Sequence, residues 1–237
     1  MTERSAAQVH RDRHEFVVGP SRLRWDGASL VIDVDEIGMP LPQRVRGRVR
    51  VWPRGLASVV TPLDEAGRHR WGPIAPASRI EVDLDKPAVR WRGQAYLDAN
   101  EGDEPIDRPF SSWDWSRAAL PDGGTAVIYD VRMKHGEDRV IAQRFAADGR
   151  CEPFEAPARQ RLPRTRVWRI ARHMRSEPVA PARVLQTLED TPFYTRSLLE
   201  SGLFGQRVQS VHETLSIPRL VAGTTRLMLP FRMPRVA

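Results

Sequence analysis

The sequence predicts an all-β protein, an antiparallel barrel or sandwich, and three observations carry that reading. Apolar/polar alternations of period two recur along the chain, close turn sequences separate them, and twenty prolines are spread through it, which leaves little room for long helices. In order, residues 29–35 (SLVIDVD), 44–52 (RVRGRVRVW) and 79–84 (RIEVDL) alternate as half-buried strands do. Residues 111–118, 126–132 and 140–145 follow, joined by PDGG at 121–124 and HGED at 135–138. Both connections are short enough for hairpins, so this stretch reads as an antiparallel meander. Helix is expected at most around Arg13 or over 195–201, and Trp25, Trp52 and Trp168 are expected in the core. Pro-rich 151–163 marks a boundary between two packed β units. The first, 1–155, carries the candidate site, and the second is 156–237.

Composition narrows the function classes. A 237-residue chain that is 41% hydrophobic and 28% charged belongs among soluble globular proteins, as one large or two small domains. Cys151 is the only cysteine, which excludes an intramolecular disulfide and a cysteine-based zinc site and suits a reducing cytoplasm. The opening MTERSAAQVHRDRHEF lacks the apolar stretch of a signal peptide. The greasiest stretches, AVIYDV from Ala126 and RLMLPF from Arg226, are strand-sized, far short of a membrane span. Membrane association is therefore expected to be peripheral. The net charge of +7 brings nucleic acid to mind, but only Lys86 and Lys134 are lysines, the arginines are scattered between carboxylates, and no nucleic-acid motif accompanies them. No nucleic-acid partner is expected. The arginines fit solvated strand faces or an anionic lipid surface, where each contributes about 1 kcal/mol.

Phosphate loops, nucleophile elbows and EF-hand loops are missing, and neither metal nor cofactor is expected. The densest cluster of unusual residues begins at Trp91 and reads WRGQAYLDANEGDEPIDRPFSSWDWSR, with GRHRWGPIAP from Gly67 just upstream. The pattern W-x-G-x-x-Y-x-D-x-N-x-G-x-E-P followed by W-D-W-S-R resembles the signature of the carotenoid 1,2-hydratases, or hydroxyneurosporene synthases. RLRWDGASLVIDVDE from Arg22, RVRGRVRVWP from Arg44, TLEDTPFY from Thr187, VHETLS from Val211 and MLPFRMPR from Met228 are similar to that family as well.

This resemblance implies a lipocalin-like fold and a cofactor-free hydro-lyase that adds water to the terminal C1–C2 double bond of an acyclic carotenoid such as neurosporene or lycopene. It implies a cytoplasmic protein held peripherally at the inner or intracytoplasmic membrane, with other carotenoid-biosynthesis enzymes as partners. In the family a segment like MTER follows an N-terminal stretch, so this chain is expected to lack that stretch. A wider lipocalin-like group carries Y-H-D-H-N. Here Leu97 and Ala99 hold the histidine positions, and a role that needs them does not carry over.

The resemblance places acid, base and site roles on His69, Trp71, Tyr96 and Asp98. Hydrating such an alkene takes a proton on the less substituted carbon, a wall that tolerates the tertiary cation, and one placed water. Asp98 is the expected general acid, since burial beside apolar groups raises a carboxyl pKa and keeps its proton. Tyr96, two residues earlier and so on the same face, is expected to orient Asp98 or the water, and His69 to take the proton the water loses. Trp71 completes the catalytic set. Trp91, Trp113 and Trp115 are expected to bind substrate, with indole faces contributing up to about 2 kcal/mol each to the cation. Plain alternation reads otherwise: between Val89 and Leu97 the odd positions are apolar, which puts Asp98 on a wetted face, and His69 between two arginines reads as a surface histidine. Asp114 reads as structural, and Asn100, Gly102 and Glu104 as loop-fixing residues before Pro105. A non-catalytic polyene carrier and a protonation-initiated terpenoid cyclase are the competing functions.

Overall fold

The computed structural model describes residues 3–39, 41–232 and 235–236. Met1 and Thr2 of the MTER segment and Met233 and Pro234 of the MLPFRMPR segment lie outside them. Among the described residues two large antiparallel sheets dominate. In the first, Val9–Arg11, Glu15–Val18, Ser21–Trp25, Leu30–Gly38 and Gln43–Pro53 form a meander that continues into His69–Lys86. Thr61–Pro62 lies at its far edge, and Ala88–Gly102 also pairs with His69–Lys86. The second sheet runs, side by side, Cys151–Pro153, Arg139–Phe145, Thr125–Met133, Phe110–Ala119, Gln206–Ser216, Tyr194–Leu203 and Arg183–Asp190. A small hairpin of Arg159–Arg161 and His173–Arg175 stands apart from both sheets.

The chain forms two compact units. One holds the segments up to Arg54, Ser78–Tyr96 and from Arg226 on, and the other holds Gly55–Ala77 and Leu97–Thr225. The expected boundary near residue 155 falls within the second sheet, because Phe110–Ala119 takes Gln206–Ser216 as a neighbour.

In the first unit, cross-strand charge pairs support the exposed sheet face: Arg48 donates to Asp33 at 2.6 Å and Arg44 to Asp35 at 2.8 Å. Gly47 sits where the register slips, at φ +148°, and a Cβ there would meet the Asp83 carbonyl oxygen at 2.4 Å, so the position admits only glycine. The helix expected around Arg13 is a hairpin turn. The Asp12 carboxylate accepts the backbone N–H groups of His14 and Glu15 at 2.7 and 2.9 Å, and Arg11 pairs with Phe16. Trp52 lies beneath the Arg79 guanidinium, 3.8 Å from its ring centroid. Trp25 and, in the second unit, Trp168 are surface residues, 45% and 38% exposed, not the core residues expected.

In the second unit the predicted meander forms. Leu120 donates to the Gly124 carbonyl at 2.9 Å across the PDGG turn, and Asp122 caps the Gly124 N–H at 2.8 Å. Residues 195–201 are strand instead of helix: Thr195, Ser197, Leu199 and Ser201 are all buried at period two, between neighbours on both sides. The next turn, Phe204–Gly205, has positive φ at both residues, and the Glu177 carboxylate accepts both N–H groups at 2.7 Å, which fixes the register of the following strand. The RLMLPF stretch, strand-sized by sequence, belongs to the helix Gly223–Arg232. Residues 69–77, the first half of His69–Lys86, pack on the second sheet. Thr125 Oγ1 donates to the Pro76 carbonyl at 2.6 Å, and the fully buried Trp71 meets Tyr129 edge-on with ring centroids 5.8 Å apart. Truncating so large a buried ring typically costs about 3–5 kcal/mol.

Candidate active site

One face of the second sheet is built from alternating residues that register brings side by side. Trp115 pairs with Tyr129 on one neighbour and Glu213 on the other, and Glu213 pairs in turn with Arg196. Two residues along, Trp113 pairs with Leu215, which pairs with Tyr194. These two rows point the same way and, with Asp98 and Asn100 from the end of Ala88–Gly102, line a cavity of about 220 Å³. A larger open groove of about 620 Å³ lies in the first unit, but alternating arginines and carboxylates wall it. Those groups neutralise one another as a solvated sheet face does.

Asp98 is half-buried, and its Oδ2 accepts the Trp71 indole N–H at 2.8 Å. Plain alternation is overridden here because Trp71 belongs to the stretch packed on the sheet and turns a polar position inward. Trp113 and Tyr129 meet edge-on at 6.0 Å, and Phe110 backs Trp113 at 5.8 Å, so the wall is a continuous aromatic cluster. Burial first, then the charges of Asp98 and Glu213, push the Tyr129 hydroxyl far above its ordinary pKa. Burial and then Glu213 do the same for Tyr194. Both phenols therefore stay protonated at neutral pH and stand as neutral polar groups in the wall.

His69 is buried, 3% exposed, and not the surface histidine that its arginine neighbours suggested. Arg68 and Arg70 reach outward to Glu104 at 3.0 Å and Asp103 at 2.9 Å, while the imidazole turns inward against Phe110, centroids 4.9 Å apart. A Cβ at Gly102 would come within 2.8 Å of His69 Nδ1, so glycine is required by that close approach more than as a loop former. His69 Nε2 has no hydrogen-bond partner among the described residues, and His69 stands outside the set that lines the cavity. Tyr96 is half-buried, two residues before Asp98 on the same strand. Trp91 is 48% exposed and outside the cavity lining, on a stretch, Ala88 to Arg92, that is exposed at every residue.

The structure thus gathers Asp98, Trp71, Trp113 and Trp115 of the expected residues and adds Tyr129, Tyr194, Glu213 and Asn100. Signals for three of the additions lay within segments already singled out: Tyr129 in AVIYDV, Tyr194 in TLEDTPFY and Glu213 in VHETLS. Asn100, read as a loop residue, still belongs to the strand. Asp114 is structural, as expected: on the opposite face it accepts Thr214 Oγ1 at 2.6 Å and the His173 N–H at 3.2 Å.

The sequence profile of the family described as carotenoid hydratase CrtC matches residues 1–237. An acyclic carotenoid 1,2-hydratase of Rubrivivax gelatinosus is 65% identical over 237 residues, all of this chain and 58% of that one. One of Thiocapsa roseopersicina is 52% identical over 236 residues, again 58% of its length, and one of Cereibacter sphaeroides is 37% identical, with 84% covered. The chain therefore spans a little over half the length of the first two relatives. A solved structure of an AttH candidate from Nitrosomonas europaea superposes with TM-score 0.60 at 14% identity, over 88% of this chain and 71% of that one. That likeness concerns the fold alone, which is lipocalin-like and all-β.

Proposed function

This chain belongs to the carotenoid hydratase CrtC family, and from that premise we propose that it adds water across the terminal C1–C2 double bond of an acyclic carotenoid. The observation that carries the reading is Asp98, half-buried and held by the Trp71 indole at the edge of an aromatic-walled cavity.

Protonation of a trisubstituted alkene at C2 leaves a tertiary cation at C1. An acid is needed near the alkene, and electron-rich walls are needed near the cation. Asp98 is the general acid of this proposal, Trp113 and Trp115 are the wall, and Trp71 is the positioning residue that fixes the carboxyl group. The resemblance gives Tyr96, two residues before Asp98, an orienting role and gives His69 the proton lost by the attacking water; the imidazole lies buried against Phe110, outside the cavity lining. The chemistry as written uses water and side chains alone, so activity is expected to survive exhaustive dialysis against a chelator. Such substrates dissolve in lipid. Among the described residues no helix is long and apolar enough to cross a membrane, and peripheral membrane docking remains part of the proposal.

Incubation with lycopene in ¹⁸O-labelled water tests the reading. The expected product is more polar and carries one labelled oxygen. Lycopene recovered bound but unchanged would indicate a carrier instead, and a product of unchanged mass would indicate a cyclase.

A further inference from the structure

The hydration reaction needs a second group, one that takes the proton from the attacking water. Glu213 occupies the right place. It lines the same cavity as Asp98, and the pairing that sets it beside Trp115 puts its side chain on the aromatic face. Arg196, opposite it on the next strand, donates through Nε to one Glu213 oxygen, Oε1, at 2.8 Å. Its carboxylate is a quarter exposed, so water can reach it. Tyr129, which like Glu213 is paired with Trp115, lines the same cavity as both carboxyl groups. His69, the group to which the resemblance gives this step, is not part of that lining.

We propose that Glu213 is the base of the hydration, holding the nucleophilic water and accepting its proton, with Arg196 as the positioning residue that fixes the carboxylate. This rests on the hydratase reading above. The π electrons of C1=C2 form the new C2–H bond with the Asp98 proton, whose O–H pair stays on the Asp98 carboxylate. A lone pair of water forms the C1–O bond, and the water O–H pair stays on that oxygen as its proton passes to Glu213. Transfer of that proton back to Asp98 through solvent resets the site. The net change is one water added, with no oxidant or reductant. Asp98 thus governs formation of the cation and Glu213 its capture.

The two steps separate in deuterated water. Unchanged protein, Glu213→Gln, Glu213→Asp and Asp98→Asn are each incubated with lycopene in D₂O, and both the hydrated product and deuterium in recovered lycopene are measured. Gln keeps the size of Glu and an acceptor for Arg196. Glu213→Gln is expected to lose hydration about 100-fold or more, the usual range for a general base. It should still return lycopene deuterated at C2, because the cation forms, turns about the C1–C2 bond and gives the original C2 hydrogen to the Asp98 carboxylate as the double bond re-forms. Glu213→Asp, which keeps the charge, should hydrate at least tenfold faster than the Gln variant, and Asp98→Asn should show neither hydration nor exchange. A Glu213→Gln protein that hydrates within threefold of normal overturns the proposal. So does one that loses exchange together with hydration, since residue 213 would then act before the cation exists. If the unchanged protein shows neither reaction, the hydratase reading itself fails.

Discussion

The two faces of the second sheet are made by alternating residues of the same strands, yet they treat carboxylates in opposite ways. On one face Asp114 and Asp130 are buried under the Arg159–Arg161 and His173–Arg175 hairpin. Arg175 reaches Asp130 at 2.9 Å, and Arg159 lies 3.3 Å from each. His212 on that face donates Nε2–H to the His173 carbonyl at 2.7 Å. On the other face Asp98 receives a neutral indole N–H beside aromatic rings, and Glu213 stands across the cavity on its Arg196 tether. The carboxylates under the hairpin, each beside more than one cation, hold strands together, whereas Asp98, the acid of the proposal, stands among rings. Period-two alternation allows one strand, Phe110–Ala119, to serve both ends, with Asp114 and Ser116 buried on one side and Trp113 and Trp115 facing the cavity on the other.

The contrast can be broken at either face. The largest effect is expected at Asp98→Asn, which should lower the hydration rate about 1000-fold, within the usual reach of general acid catalysis, and leave the melting curve nearly unchanged. A comparable loss of stability would show that Asp98 is a structural residue like Asp114. Next comes Asp114→Ala, which strands the arginine hairpin's charge and should cost about 3 kcal/mol in urea unfolding, with a smaller change in turnover by the folded fraction. If stability is unchanged, the buried network has no structural role.

Trp71→Phe preserves a ring against Tyr129 but removes the N–H donated to Asp98, so a fall in turnover of about tenfold, about 1.4 kcal/mol, is expected with the fold intact. The smallest effect is on acid stability. Burial alone would raise the Asp114 pKa, but the hydrogen bond from His173, then the charge of His212 and the Thr214 bond, hold it below the ordinary carboxylate value. With the folded pKa depressed, its contribution is fully present above the unfolded value of about 3.9 and is lost as pH falls through the lower folded one. Asp114→Asn should therefore flatten the urea stability curve below about pH 4 and leave its shape unchanged at higher pH.

The strand class and the hairpins at 121–124 and 135–138 were legible in the sequence, because period-two alternation and turn chemistry are local properties of a few consecutive residues, while the segment carrying Asp98 stood out only through its resemblance to a family motif. The Asp12 turn and the 195–201 strand were misread: the first looked helix-compatible, and the second is held as strand by neighbours on both sides. Tertiary structure alone decided that Asp98 turns inward, since Trp71, 27 residues away, supplies both its cover and its hydrogen bond. It alone set Trp115 beside Glu213, because strand register joins segments about a hundred residues apart, and no local pattern encodes which side chains will share a wall.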